Sequence, residues 1–233
     1  MHSVDYEIRQ IGKQATCRSD AEALSALHME LLGHSPLVLM GPDFMEQFYY
    51  YNLPLDGFVR GAIAFVDGKP AGFIVGTDDA DGFMMRSVRK HWFKIVWVLT
   101  IATLRNPKRV LAIWEALQIQ RNVSAEEYGP EVGELLSFGV LPEFRSRSFV
   151  RETGFHISQD LLQNIVRQFE STSVTRLRAI VDKDNLEAQF FYRANGWRVG
   201  LKAVKGWSVP TMEFLLNLTS LFSGNSSTFG NRK

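Results

Sequence analysis

The residues whose types could do chemistry are scattered along this chain, and most of the spacings that would unite them are missing. Five histidines occur, none in an H-x-x-x-H or H-E-x-x-H pattern, and Cys17 is the single cysteine. Neither an internal disulfide nor a zinc site built on paired cysteines can form, and no metal is expected. No G-x-x-x-x-G-K-[ST] loop, G-x-G-x-x-G turn or G-x-S-x-G elbow is present. The local requirements for nucleotide hydrolysis, dinucleotide binding and serine-hydrolase chemistry are therefore lacking. Two stretches are left to carry chemistry. Residues 134–165 hold Glu134, Arg145, Arg147, Arg151 and His156 in a strand-loop-helix pattern, and residues 185–196 hold Asn185 and Tyr192 on a short helix.

A frame must position these groups, and the composition supplies one. The chain has 233 residues, 45 % apolar and 22 % charged, with 17 Phe, 6 Tyr and 5 Trp. That is enough to bury one substantial core and too apolar for disorder throughout. Near the start, DYEIRQIGK alternates as a half-buried strand does. Ser19 and Glu22 make a capping-box pattern ahead of Ala23, Leu24, Leu27 and Leu31 at helical spacing. After the loop GHSPLVLMG, Pro42 suits the first turn of a second helix, in which Phe44, Phe48 and Tyr51 share a face. GFVRGAIAFV and PAGFIVGT read as two strands joined at Asp67-Gly68, where glycine takes a positive φ at low cost.

From 133 onward strands and helices alternate. GELLSFGVLP reads as a strand, HISQDLLQNIVRQF as an amphipathic helix, RLRAIVD as a strand, and NLEAQFFYRANG as a short helix capped at Gly196. WRVGLKAVKG and TMEFLLNL close the sheet. The fold class is α/β: one domain over 1–222 with a mixed sheet (α+β), a helical insertion near 82–122, and a polar tail over 223–233 with nothing to bury. The insertion is compositionally distinct, with eight basic residues against Asp81 and Glu115 over 81–122 in a chain of net charge +1. The overall balance gives no reason to expect a nucleic-acid partner. HWFKIVWVLTIATL is apolar nearly all round but contains Lys94 and falls short of the about twenty residues a spanning helix needs. With basic flanks beside Trp92 and Trp97 it suits peripheral membrane contact, although packing on its own domain, or on a second subunit as a homodimer, is the plainer expectation. No basic or apolar leader opens the chain, so a cytoplasmic location is expected.

Two motifs resemble those of the GNAT superfamily of acetyl-CoA-dependent N-acetyltransferases. ELLSFGVLPEFR at 134–145 ends a strand in V-x-P-x-x-R, and DNLEAQFFYRANGW at 184–197 is similar to the family's N-x-x-A-x-x-F-Y-x-x-x-G-F at Asn185, Ala188, Phe191, Tyr192, Gly196 and Trp197. The family's element order is matched over roughly 5–80 and 130–218. The resemblance implies a splayed mixed sheet with acetyl-CoA wedged beside residues 134–141 and its pantetheine arm on the backbone of Phe138, Gly139 and Val140, where glycine would permit close approach. It places the pyrophosphate at the N-terminus of the next helix, where free N–H groups and the dipole favour anions. The family's loop, Q/R-x-x-G-x-G/A, is altered here. Counted from Arg145, Ser148 and Val150 fill the two small positions. Counted from Arg151, Gly154 restores the first glycine and His156 replaces the second. The register 151–156 is preferred, with Thr153, Gly154 and Phe155 at the helix start and Arg145, Arg147 and Arg151 as phosphate contacts or solvated charges.

Amide formation from a thioester requires that the amine lose a proton, that charge on the carbonyl oxygen be stabilised, and that the departing thiolate gain a proton. The resemblance assigns the last task to Tyr192, whose phenol has an unperturbed pKa of about 10. It assigns the base to Glu134, acting directly or through water, and a pantetheine contact to Asn185. His156 stands apart from the family pattern: an imidazole at a helix N-terminus would bind a phosphate when protonated, although packing or capping is the commoner outcome. The resemblance places His34 and Tyr50, with Tyr49 and Tyr51, at the acceptor pocket. The expected protein is thus an N-acetyltransferase that passes acetyl from acetyl-CoA to a primary amine of a small molecule, an amino sugar being one candidate, by direct sequential attack. The alternative is a module that binds acyl-CoA without turnover, to which the altered loop points.

Overall fold

The computed structural model describes residues 4–80, 82–83, 86–87, 89–93, 131–200 and 210–219. Strands β1 (Tyr6–Ile11), β2 (Arg60–Val66), β3 (Lys69–Thr77), β4 (Val132–Val140), β5 (Arg176–Asp182), β6 (Arg198–Val199) and β7 (Thr211–Asn217) form one sheet in the order β1-β2-β3-β4-β5-β7-β6. β4 and β5 run parallel, and the other neighbouring pairs are antiparallel. The β2–β3 hairpin turns where expected: Asp67 and Gly68 have φ of 48° and 73°. The Asp67 carboxylate also accepts from the Asp5 N–H at 2.9 Å, tying the turn to the start of β1.

Helices α1 (Arg18–Leu31), α2 (Pro36–Leu39) and α3 (Phe44–Asn52, followed by the single turn Leu53–Leu55) precede the hairpin. Helices α4 (Arg147–Thr153), α5 (Ile157–Glu170) and α6 (Leu186–Ala194) follow β4 and β5. The sheet separates two cores. On one face α5 packs Leu161, Leu162, Ile165 and Phe169 against β-strand residues such as Ile74, Leu177 and Phe214. On the other, α1 and α3 pack Leu24, Leu27, Phe48 and Tyr49 against Ile63, Phe73 and Val75. Burial of this kind contributes roughly 1.5–3 kcal/mol for each large apolar side chain.

Two expectations are corrected. Cys17, not Ser19, is the N-cap of α1 and makes no side-chain cap, so the Ser19–Glu22 capping box does not form; Ser19 lies two residues past the cap and its hydroxyl is 3.0 Å from the Cys17 sulfur. The second helix is wound as a π-helix. Phe44, Phe48, Tyr49 and Tyr50 are all buried, a wider apolar face than α-helical spacing provides, while Tyr51 is half-buried under the Arg18 guanidinium. Of the insertion expected near 82–122, residues 83, 86–87 and 89–93 are helical, and its remainder beyond 93, like the expected tail 223–233, lies outside the described residues.

Candidate functional site

The sheet opens at its centre. β4 and β5 are paired from Val132↔Arg176 to Leu135↔Ala179, and the ladder stops there although β4 continues to Val140 and β5 to Asp182. The β3–β4 register shifts at the same level: Val75 faces Ser137 and Gly76 faces Leu135, leaving Leu136 as the extra residue. A bulge of this kind bends a strand and re-aims its side chains. Leu135, Phe138 and Val140 join the α5-side core and Leu136 joins the α1-side core. Past the bulge, the edge of β4 turned away from β3 carries peptide groups that β5 does not pair. Phe138, Gly139 and Val140 lie there, held on the β3 side by Ile74, Phe73 and Gly72. A Cβ on Gly139 would stand 2.9 Å from Leu31 Cδ1, so the missing side chain also makes room for α1.

Beyond β4 a 3-10 turn (Pro142–Arg145) leads to α4, which the Ser146 hydroxyl caps by accepting from the Phe149 N–H at 3.2 Å. Residues 147–153 are thus helical, and Val150 is part of that helix. Gly154, at φ 75°, ends α4 in the left-handed conformation, and α5 begins at Ile157 with His156 as its N-cap residue. Thr153 and Gly154 therefore close the short helix instead of opening the long one, a correction. The segment 151–156 is still the connection directly in front of α5. Gln159 and Asp160 N–H groups both close on the His156 carbonyl, at 2.9 and 3.0 Å. The Ile157 and Ser158 N–H groups ahead of them have no hydrogen-bond partner among the described residues. Arg147, Arg151, Gly154 and His156 are exposed around this end. Arg145 is ion-paired with Glu187 of α6, across the opening between β4 and β5.

Tyr192 projects from α6 into the α5-side core, 5 % exposed, in ring contact with Trp197, Phe214 and Phe191. Its hydroxyl has no hydrogen-bond partner among the described residues. Burial pushes its pKa well above the ordinary phenol value, so it is a protonated donor at any working pH. Phe191, one residue earlier, meets Phe138 of β4 with ring centroids 5.4 Å apart. Asn185 caps α6, its Oδ1 accepting from the Ala188 N–H at 3.0 Å. Its amide NH₂ makes no hydrogen bond among the described residues, and the residue is exposed.

Glu134 is on the last paired rungs. Its Oε2 accepts from Arg178 Nε at 3.0 Å and Nη2 at 2.6 Å, and the two residues are register partners. Arg178 is 2 % exposed. A base role for Glu134 must therefore operate from within a buried ion pair. Beside it, Ser137 is close enough to Tyr49 and Tyr50 of α3 to oppose, in small part, the effect of burial on their phenols. The Tyr50 hydroxyl lies 2.5 Å from His28 Nδ1. Burial pushes both tyrosines up and His28 down to about 4. Tyr50 and Tyr49 are wholly interior, so neither lines an acceptor surface, a correction. His34 is exposed on the α1–α2 loop, apart from this network.

No protein-family model and no curated protein matches the sequence. Solved structures match the fold. An N-acetyltransferase from Staphylococcus aureus Mu50 aligns over 92 % of this chain and 99 % of its own, with 12 % identity and a TM-score of 0.53. A putative acetyltransferase of the GNAT family from Desulfovibrio desulfuricans aligns over 92 % and 99 %, with 14 % identity and a TM-score of 0.52. Arabidopsis thaliana NAA60 in complex with acetyl-CoA aligns over 92 % and 99 %, with 13 % identity and a TM-score of 0.51. The fold is that of the GNAT acetyltransferases.

Proposed function

We propose that this protein is an N-acetyltransferase that moves an acetyl group from acetyl-CoA to a primary amine of a small molecule by direct attack. The observation that carries the reading is the parting of β4 from β5 after Leu135↔Ala179, followed on the β4 side by a connection that delivers the chain to the N-terminus of α5. The residues present fit the co-substrate. The free edge of β4 at Phe138–Val140 offers peptide groups to an amide-bearing arm, the front of α5 offers N–H groups to a pyrophosphate, and Tyr192 has an uncommitted hydroxyl. Acetyl-CoA brings the activated acyl group as a thioester.

The chain's own groups divide the remaining work. The peptide N–H groups past the bulge act as fixed donors to developing negative charge, at no cost in reorganisation. Tyr192, protonated by virtue of its burial, donates to the sulfur as charge appears there. Glu134, on the α1-side face of the sheet, accepts the amine's proton directly or through water, with Arg178 fixing its orientation. Arg145, Arg151, Thr153, Gly154, Phe155 and His156 frame the phosphate end. His34 stays a candidate for acceptor contact because its loop is exposed. The single, exposed Cys17 fits a reducing cytoplasm.

Tyr192→Phe tests the assignment. Acetyl-CoA affinity by calorimetry is expected to stay within twofold while turnover with an accepted amine falls about a hundredfold. Retained turnover would remove Tyr192 from the chemistry. Acetyl-CoA binding by the unaltered protein with no turnover on any amine in a panel would favour the module that binds without catalysis.

A further inference from the structure

The front of α5 is braced by a residue far from it in sequence. Tyr6 of β1 lays its ring on Phe155, with centroids 4.6 Å apart and planes inclined by 27°. Its hydroxyl donates to Asp160 Oδ2 at 2.9 Å. Phe155 belongs to the 151–156 connection and Asp160 to the first turn of α5, so one side chain grips both sides of the helix start. Burial and the neighbouring carboxylate push the Tyr6 phenol above its ordinary value, so it stays a donor across the working range.

The carboxylate it holds stands in an electrostatically contested place. The positive end of a helix attracts any anion within its first turn, and a side-chain carboxylate there competes with a bound phosphate for the same field and N–H groups. Asp160 is such a competitor. With its Oδ2 tied to Tyr6 it is held to the β1 side of the helix, and part of its charge is spent on the phenol. The stacked Phe155 meanwhile fixes the course of the chain between Gly154 and His156.

We propose that Tyr6 is a positioning residue of the pyrophosphate subsite, restraining Asp160 and Phe155 so that the front of α5 can receive the phosphates of an acyl-CoA. The proposal rests on the reading of this protein as an acetyl-CoA enzyme. Tyr6→Phe keeps the stack and removes the donor. Its Kd for acetyl-CoA is expected to rise about fivefold, the scale of one charge at a helix end. The kcat/KM for S-acetylpantetheine, which lacks the pyrophosphate, is expected to stay within twofold. Adding Asp160→Asn to Tyr6→Phe removes the competing charge and is expected to bring the acetyl-CoA Kd back within twofold of the unaltered protein. A folded Tyr6→Phe protein with unchanged acetyl-CoA affinity overturns the proposal. So does an equal loss with S-acetylpantetheine, or a double variant that fails to recover. Failure of the unaltered protein to bind acetyl-CoA at all overturns instead the reading beneath it, and the proposal with it.

Discussion

His28 gives the structure a quantitative test. It lies on α1 at 0 % exposure, its ring stacked on Phe73 with centroids 5.8 Å apart. Its Nδ1 is 2.5 Å from the Tyr50 hydroxyl and its Nε2 has no partner among the described residues. Tyr49 and Tyr50, the titratable groups against its ring, are neutral, so nothing there rewards a positive imidazole. Desolvation lowers its pKa from 6.5 to about 4. The folded protein thus keeps His28 neutral where the unfolded chain protonates it. The stability this contributes is complete above the unfolded value and is lost as pH falls from there to the folded value. With these two values the loss relative to pH 7 is about 2 kcal/mol at pH 5 and about 3 kcal/mol at pH 4. His28→Phe keeps a stacked ring and removes the titration. Urea unfolding of both proteins at pH 7 and pH 5 should show the variant losing about 2 kcal/mol less than the parent over that interval. Equal losses would refute the assignment of His28 as a buried neutral base.

Two further outcomes concern the ion pairs at the strand opening. Glu134→Gln leaves the Arg178 guanidinium, 2 % exposed, opposite an uncharged amide, and stability by urea unfolding is expected to fall by about 3 kcal/mol. A loss below about 1 kcal/mol, the range of surface pairs, would mean that water reaches the pair. Glu187→Gln releases Arg145 from a pair whose side chains are 71 % and 39 % exposed, so melting should barely change. Acetyl-CoA should bind about two- to threefold tighter at low salt, the advantage disappearing at high salt. Weaker binding would show that the pair itself shapes the cofactor site.

The elements of the frame were legible because their signals are local. Asp67-Gly68 needs only its own two residues to make a turn, and α5 declares itself through Leu161, Leu162, Ile165 and Phe169 on one face. Asn185 likewise caps the helix that its motif places there. What could not be read depends on tertiary partners. Arg178 alternates with buried Leu177 and Ala179 along β5, a pattern that reads as a solvent face. Only the parallel register beside Glu134 makes it interior. Tyr50 is placed at the acceptor pocket by the resemblance alone, and its sequence neighbours carry no sign of its burial. The π-helical winding turns Tyr49 and Tyr50 inward, where the Tyr50 hydroxyl meets His28 Nδ1. The end of α4 at Gly154 was hidden for the same reason: Arg147–Thr153 has no apolar periodicity of its own, and its stop is a backbone conformation that any exposed glycine permits.

The Glu134–Arg178 pair and the bulge at Leu136 occupy neighbouring positions, and together they explain why the sheet parts where it does. Two parallel strands with no constraint would continue pairing, since each added rung satisfies peptide groups that burial otherwise leaves costly. The extra residue in β4 bends it away from β5 just after Leu135. The ion pair, one rung earlier, opposes any slip of register that would carry the bend along the strand, because a shift of one residue would turn Glu134 to the apolar α5-side core, away from Arg178. A buried pair of this kind contributes little to net stability, yet it specifies one arrangement over its neighbours. For the acetyl transfer proposed above that specificity would have a use: the point where the strands part would set where a thioester carbonyl meets the donors of Phe138–Val140, and displacement by one residue, about 3.3 Å along a strand, would take it out of hydrogen-bonding reach.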